Sequence, residues 1–165
     1  MTGDSREARF RDLMSAFPTG VAIVTGMHLD GTPRGMTCSS VVSVTTLPPT
    51  LLVCLGVGGA TLEAVASHGC FGVNLLHDGG QRAAELFSGP GPDRFRQVSW
   101  QISKNGIPWL VKDAFAVAEC RVSRLLTVGD RTVVFGEVCA IEQVTGTPLL
   151  YGRRRYASWP LPEAS

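Results

Sequence analysis

Apolar residues near the N-terminus recur at the spacing of one helix face. They are Phe10, Leu13, Met14 and Phe17. Steps of three and four residues bring such side chains onto one stripe of an α-helix. The pattern therefore predicts an amphipathic helix over residues 5–16, and Pro18 ends it because proline cannot continue the helical hydrogen bonds.

Beyond Pro18 the apolar residues fall in short runs that are typical of β-strands. The runs cover residues 20–25, 35–45, 51–55, 70–76, 115–126 and 132–144. Gly129-Asp130 is expected to join the last two as a hairpin. Short helices are predicted over 61–67 and 80–87. Six or seven strands with inserted helices predict a mainly β fold, an antiparallel barrel in a single domain.

The run at residues 35–45 is unusual because hydroxyl side chains occupy one of its faces. Met36, Cys38, Val42 and Val44 alternate with Thr37, Ser39, Ser43 and Thr45. Hydroxyl groups on a buried strand cost free energy unless they find hydrogen-bond partners. Either a planar polar ligand lying against the strand or a solvent-facing surface would supply those partners, and the pattern leaves both open.

The composition limits the kinds of partner that the protein binds. The chain has 165 residues with 15 basic and 14 acidic side chains, and a net charge of +1 gives no electrostatic basis for binding nucleic acid or an anionic membrane. Only 18% of the residues are charged and 44% are hydrophobic. That balance fits either a surface covered by a second subunit or strands buried on both faces.

Five cysteines stand far apart in apolar or small-residue stretches. They are Cys38, Cys54, Cys70, Cys120 and Cys139. Their odd number and the lack of a CxxC pair predict buried thiols in a reducing compartment, not disulfides or a zinc site. The histidines lack ligand spacing, so no metal is expected. A charged N-terminus and the lack of a long apolar run predict a soluble, cytoplasmic protein.

The segment from Gly56 to Thr61 follows a predicted strand and opens a predicted helix, as a nucleotide-binding loop does. Thr61 replaces the third glycine of that motif, and the helix is too short for a crossover between parallel strands. A dinucleotide-binding α/β fold is therefore rejected. Two interpretations of Thr61 stay open: it binds a phosphate at the helix N-terminus, or it is only the N-cap residue of the helix.

The sequence shows no arrangement of nucleophilic or acid–base residues. It contains no GxSxG elbow, no nucleophile paired with a histidine at a known spacing and no carboxylate pair close in sequence. This pattern fits an enzyme in which a cofactor supplies the chemistry and the protein positions it.

Several segments in order resemble the short-chain flavin reductase family, the reductase components of two-component flavin-dependent monooxygenases. The matching segments are 17–25, 35–44, 48–49, 71–76, 86–89, 94–95, 119–120 and 136–138. The resemblance implies an FMN-binding split β-barrel, antiparallel and Greek-key-like, with an N-terminal helix. It implies one such domain over residues 1–165, with a core over about 10–156, which forms a homodimer with flavin near the subunit interface.

The resemblance also implies which residues bind FMN or FAD. Thr37, Cys38, Ser39 and Ser40 would border the isoalloxazine ring, mainly through backbone groups. Thr61 would lie near the phosphate or the ribityl chain. The other residues around the flavin would be Asn74, Phe87 and Ser88, with Arg94 as a phosphate or nicotinamide contact.

One position departs from the family pattern. Many relatives have a histidine after the Gly-Asp of the last hairpin, facing the nicotinamide, whereas this chain has Arg131. An arginine stays charged, but it can clamp a carboxamide oxygen or a pyrophosphate; a solvent-exposed hairpin tip is the other interpretation. Arg153 and Tyr156 match the C-terminal pattern of the family, either as part of a nicotinamide site or as dimer contacts.

The function implied by the resemblance is that of an NAD(P)H:flavin oxidoreductase. Hydride would pass directly from NADH or NADPH to FMN or FAD with no catalytic side chain, and reduced flavin would leave for a partner monooxygenase. Two alternatives stay open. One is a split-barrel flavoprotein with tightly bound FMN that acts on another substrate, and the other is a non-catalytic flavin-binding protein.

Overall fold

The computed structural model describes residues 3–160. Its α-helices are α1 (Gly3–Ser15), α2 (Ala60–His68) and α3 (Gln81–Ser88). Its strands are β1 (Thr19–Gly20), β2 (Ala22–Met27), β3 (Pro33–Cys38), β4 (Val41–Thr46), β5 (Pro49–Gly56), β6 (Cys70–Leu76), β7 (Gln101–Ile102), β8 (Pro108–Trp109), β9 (Ala114–Val128), β10 (Arg131–Gln143), β11 (Leu149–Gly152) and β12 (Arg155–Ser158). Short 3-10 helices lie at Asp78–Gly80 and Arg94–Gln97.

The main sheet has seven antiparallel strands in the order β3-β2-β6-β9-β10-β5-β4. Its two edge strands, β3 and β4, are consecutive in the chain, with only Ser39 and Ser40 between them. The Cys38 thiol at the end of β3 donates to the Cys54 carbonyl of β5 over 3.8 Å. The edges therefore approach each other and the sheet curls into a barrel. We call the junction at residues 38–41 the seam.

Two hydrophobic clusters stabilise this barrel. The first fills its interior and includes the fully buried Leu55 and Phe71. The second lies between the sheet and α3 and is centred on Phe87. Because Leu149 and Tyr156 belong to the second cluster, it also holds the hairpin of β11 and β12 against the barrel.

The antiparallel barrel, the inserted helices and the hairpin at residues 129–130 are confirmed, but the prediction of one strand over 35–45 is wrong. Cys38 is the last residue that pairs with β2, and Val41 is the first that pairs with β5. The two segments therefore form the two opposite edge strands of the sheet, β3 and β4. The chain must therefore leave one edge at Ser39 and join the other after Ser40.

The start of α2 also differs from the sequence prediction. Gly59 is the N-cap residue and makes no side-chain capping bond, whereas Thr61 lies inside the first turn and is buried. The interpretation of Thr61 as the N-cap is therefore wrong. A glycine can take the N-cap position because the position favours small residues as well as side-chain acceptors.

The C-terminal hairpin of β11 and β12 was not predicted from the sequence. Its turn places Arg153 at φ 49° and Arg154 at φ 60°, the left-handed geometry of a tight hairpin. The Arg153 amide donates to the Ser15 carbonyl, and the Arg154 guanidinium lies 3.0 Å from the Asp12 carboxylate. The hairpin tip therefore contacts the last turn of α1.

The predicted helix at the N-terminus forms, but its apolar side does not become core. Phe10 is 61% exposed and Leu13 is 67% exposed, and Met14 and Phe17 are also exposed. None of the helices in the described part of the chain has the length and apolar character needed to cross a bilayer.

Candidate functional site

A cavity of about 400 Å³ opens at the seam of the barrel. Its lining residues are Met36, Thr37, Cys38, Ser39, Ser40, Cys54 and Arg131. Two groups of residues singled out in the sequence, the run at 37–40 and Arg131, therefore meet in one place although more than ninety positions separate them. We call this cavity the seam cavity.

Arg131 reaches the seam cavity because of strand register. It is the first residue of β10 and pairs with Gly56, the last residue of β5. Its guanidinium lies 3.7 Å from the Asp130 carboxylate, and both side chains are largely exposed, at 53% and 88%. A solvent-exposed ion pair of this kind is weak. The Arg131 charge therefore stays available to a ligand in the cavity.

The backbone at the seam has polar groups that the sheet does not use. Ser39 and Ser40 lie outside both ladders, since pairing stops at Cys38 and resumes at Val41. Both serines are exposed to solvent. Backbone N–H and C=O groups outside a ladder bond to other partners. The Ser40 backbone bonds to the Cys38 thiol, and either solvent or a ring that bears carbonyl and imine groups would serve the remaining groups.

Thr37 and Cys38 form the protein-facing part of the cavity. The Thr37 hydroxyl donates to the Ala84 carbonyl of α3 over 2.6 Å, so its proton is engaged by the protein and not by solvent. Cys38 is buried, and this burial raises the pKa of its thiol. The thiol is thus neutral at physiological pH and acts as part of the wall, not as a nucleophile.

Two residues expected to contact flavin lie in the interior instead. Asn74 is fully buried, and its side chain bonds to Ile23, Thr25 and Leu110. Phe87 is buried in the cluster beneath α3. The protein already surrounds both side chains, which gives each a structural role, and their place around the flavin stays a prediction.

Thr61 and Ser88 do not line the seam cavity either. Thr61 is buried in the first turn of α2. Ser88 is exposed at the end of α3, where its hydroxyl donates to the Glu85 carbonyl over 2.8 Å. Both positions are compatible with a structural role, Thr61 as packing and Ser88 as a helix-end hydrogen bond.

Arg94 belongs to a second cavity, of about 430 Å³, which we call the arginine cleft. Its lining residues are Thr32, Pro33, Arg34, Gly91, Pro92, Asp93, Arg94, Phe95, Arg96 and Trp100. The Arg94 guanidinium donates to the carbonyls of Phe87 over 3.3 Å and Gly89 over 3.1 Å. Its burial, and secondarily the charge of Arg34, lower the pKa of Arg94.

Arg34 and Trp100, which also line this cleft, were not predicted from the sequence. Arg34 lies on β3 and Arg94 in a 3-10 helix sixty positions later, and no motif links them. The only available signal was that each arginine stands near proline and glycine. Such residues are typical of loops, where ligand contacts concentrate.

Arg153 and Tyr156 lie in the C-terminal hairpin. Tyr156 is half-buried against the cluster beneath α3, and its ring centroid lies 4.9 Å from that of Tyr151. Burial raises the pKa of the Tyr156 hydroxyl, so the residue is neutral at physiological pH. Arg153 is exposed at the hairpin tip. Neither residue lines the seam cavity.

Comparison with known proteins places these features in a family. Residues 14–160 match the family described as the flavin reductase-like domain. The chain is 53% identical over 153 residues to a flavin reductase (NADPH) of Lentzea aerocolonigenes, which covers 92% of this chain and 89% of that protein.

Solved structures show the same fold. The NADH:FAD oxidoreductase of Streptomyces globisporus C-1027, in complex with NAD and FAD fragments, matches with a TM-score of 0.89 and 30% identity over 100% of this chain and 99% of that one. The styrene monooxygenase flavin reductase of Pseudomonas putida S12 matches with a TM-score of 0.85 and 32% identity, over 93% and 99% of the two chains.

Proposed function

This chain belongs to the flavin reductase-like domain family, and we propose that it is an NAD(P)H-dependent flavin oxidoreductase that reduces FMN or FAD. The observation that supports the proposal most directly is the seam cavity, where the run at 37–40 meets Arg131. The family match covers every residue of that cavity.

The residues of the seam cavity fit a flavin substrate. Ser39 and Ser40 offer backbone groups outside the ladders, which suit the carbonyl and imine groups of an isoalloxazine ring. Arg131 brings a positive charge to the same cavity. That charge would stabilise the negative charge that develops on the ring during reduction, or it would bind a phosphate. No carboxylate and no histidine line the cavity.

The chemistry needs no acid–base side chain. Reduced nicotinamide donates a hydride and the flavin ring accepts it, so the two substrates themselves supply the hydride donor and the hydride acceptor. The chain's contribution is positioning: the walls formed by Met36 and Cys38 hold one face of the ring, and the seam backbone fixes its edge. Arg131, Arg153 and Tyr156 are proposed to orient the nicotinamide substrate, NADH or NADPH.

A homodimer is part of this proposal. The edge strand β4 exposes apolar side chains, with Val42 at 52% and Val44 at 45%, and α1 exposes an apolar face. Exposed apolar surface next to a cavity is typical of subunit interfaces. A partner subunit over β4 would cover the open side of the seam cavity and shield the reacting rings from water.

The proposed recipient of reduced flavin is a partner monooxygenase. The styrene monooxygenase flavin reductase, a structural neighbour, is named for such a system. The solvent-exposed position of Ser39, Ser40 and Arg131 suits a flavin that leaves after reduction. All five cysteines are free thiols, which favours a reducing compartment such as the cytoplasm.

The test is an absorbance assay of purified, flavin-free protein. NADH or NADPH is mixed with the protein, and the nicotinamide band is followed with FMN, with FAD and with no flavin. We expect oxidation only when a flavin is added, because the flavin is a substrate. Heat-denatured protein at the same concentration corrects for the uncatalysed reaction.

Two results would contradict the proposal. Flavin that co-purifies tightly, combined with poor oxidation of both nicotinamides, would indicate a flavoprotein that acts on another substrate. Flavin binding measured by fluorescence quenching, with no oxidation in any of the four substrate combinations, would indicate a non-catalytic flavin-binding protein.

A further inference from the structure

The arginine cleft carries more positive charge than its own residues neutralise. Of its three arginines, Arg96 lies 3.5 Å from the Asp93 carboxylate, and no other carboxylate lines the cleft. Arg34 and Arg94 have no ion-pair partner among the side chains of residues 5–160. Two like charges share one concave surface without a counter-ion from the protein, and that arrangement is costly unless an anion binds there.

Arg94 is held in place before any ligand arrives. Two carbonyls at the end of α3, those of Phe87 and Gly89, accept from its guanidinium. Its half-buried position, and secondarily the charge of Arg34, lower the pKa of Arg94. A fixed guanidinium loses little side-chain entropy on binding an oxyanion.

The charge and the aromatic residues of the cleft indicate the class of anion. A phosphate monoester carries about 1.5 to 2 negative charges at pH 7, which matches two unneutralised guanidinium groups better than a singly charged phosphodiester does. Phe95 and Trp100 are half-buried beside the arginines, with their ring centroids 5.4 Å apart. Aromatic rings next to a phosphate site suit a purine base.

The position of the cleft relative to the seam cavity suggests how one substrate uses both. Thr32 and the first two residues of β3, Pro33 and Arg34, line the cleft, and residues 36–38 at the end of β3 line the seam cavity. A dinucleotide carries its reactive ring and its adenosine at opposite ends. It can therefore place the ring at one end of β3 and the adenosine at the other.

From these observations we propose that the arginine cleft binds a phosphate monoester, the 2′-phosphate of NADPH, and so makes this protein prefer NADPH to NADH. The inference rests on the reductase function proposed above. The 5′-phosphate of FMN is the other substrate group with the same chemistry, and the experiment separates the two sources.

The experiment compares wild type with Arg34→Gln. Initial rates are measured against NADPH and NADH at saturating FMN, and against FMN at saturating nicotinamide. A charge-assisted hydrogen bond contributes enough for the KM of NADPH to rise by about tenfold or more in Arg34→Gln. The KM values for NADH and FMN should stay unchanged. Lys104→Gln, which removes a positive charge from an exposed turn outside the cleft, is the matched control.

A second variant acts in the opposite direction. Asp93→Asn removes the only carboxylate of the cleft, and asparagine tolerates the φ of 61° at this position. The KM of NADPH should fall in this variant while that of NADH stays the same. Thermal melting of each variant checks that the fold is intact.

A binding measurement without turnover completes the test. Calorimetry should show that 2′,5′-adenosine diphosphate binds wild type more tightly than 5′-AMP does, and that Arg34→Gln removes the difference. If wild type reduces flavin but shows no such difference, and Arg34→Gln leaves the NADPH-to-NADH ratio unchanged, the inference is wrong while the reductase function stands.

Two further outcomes are distinguishable. A rise in the KM of FMN instead of NADPH in Arg34→Gln would place the flavin phosphate in the cleft and overturn the NADPH assignment. Tight, Arg34-dependent binding of 2′,5′-adenosine diphosphate by a protein that reduces no flavin would support the cleft and contradict the reductase function.

Discussion

Asn74 shows how one buried amide can join three parts of the chain. From β6 its side-chain nitrogen donates to the Ile23 carbonyl over 3.0 Å and to the Thr25 hydroxyl over 3.1 Å, both on β2. Its side-chain carbonyl accepts from the Leu110 amide over 2.9 Å. These hydrogen bonds all lie inside the protein, so Asn74 links β2, β6 and the segment at Leu110.

We expect Asn74→Ala to lower the free energy of unfolding by about 2–4 kcal/mol, because it leaves buried donors and acceptors without partners. Urea denaturation followed by circular dichroism measures the change. Ser88→Ala removes one exposed hydrogen bond and should change the free energy by less than about 0.5 kcal/mol. Unchanged stability of Asn74→Ala with loss of flavin binding would show that Asn74 acts in flavin binding and is not needed for stability.

The fully buried Cys120 gives the protein a dependence on alkaline pH. Burial raises the pKa of its thiol from 9.0 to about 12. Between these values the unfolded chain has lost the thiol proton and the folded chain retains it. The stabilising contribution is complete below pH 9 and is lost as the pH rises through the folded pKa.

We therefore expect the free energy of unfolding to fall by up to about 1.4 kcal/mol per pH unit above pH 9 on account of this thiol. Urea titrations at a series of pH values measure the slope. Cys120→Ala should be less stable at neutral pH but should show a shallower slope. An identical slope in both proteins would mean that other groups control the alkaline range.

At the scale of elements, the C-terminal hairpin combines strain with an exposed ion pair. Arg154 has a φ of 60°, a conformation that costs an L-residue about 1–2 kcal/mol. Its ion pair with Asp12 is exposed and contributes little. The left-handed turn is therefore maintained by the surrounding hairpin and not by Arg154 itself.

Arg154→Gly should raise the free energy of unfolding by about 0.5–1 kcal/mol, since glycine adopts a positive φ without the side-chain clash. The change would appear as a higher Tm in a thermal melt. Arg154→Ala loses the same ion pair but keeps the strain, so it should not be stabilised. A glycine variant that melts at or below the temperature of the alanine variant would show that the ion pair dominates.

Which elements the sequence could reveal depended on how local their signals were. The long strands β9 and β10 and the helices were predicted because periodicity and turn residues lie within each segment. The break at Ser39 and Ser40 was not, because it follows from which edge of the sheet each half joins. The partners of Asn74 and the presence of Arg34 and Arg94 in one cleft likewise depend on contacts between distant segments, which the sequence does not show.

At the scale of the whole molecule, the exposed apolar surface defines the expected assembly. Val42 and Val44 extend from the edge strand β4, where the ladder is open to a further partner. An unprotected apolar edge strand favours association. The proposed dimer would cover this edge and complete the seam cavity from outside.

Val44→Glu should convert the dimer to a monomer and weaken flavin binding, because it buries a charge at the proposed interface. Light scattering coupled to size-exclusion chromatography measures the mass, and fluorescence quenching measures flavin affinity. Ile102→Glu, at an exposed apolar position outside the main sheet, is the control and should remain dimeric. A monomeric wild type would refute the dimer directly.

The seam also bears on how fast a bound molecule can come and go. The two serines that join β3 to β4 take no part in the ladders, so a flavin bound against them, as proposed, would leave without breaking any hydrogen bond of the sheet. A flavin reductase benefits from easy release of this kind, because reduced flavin must reach the monooxygenase before oxygen oxidises it. If flavin binds there as proposed, its rate of release would depend on its own contacts with the seam and not on opening of the sheet.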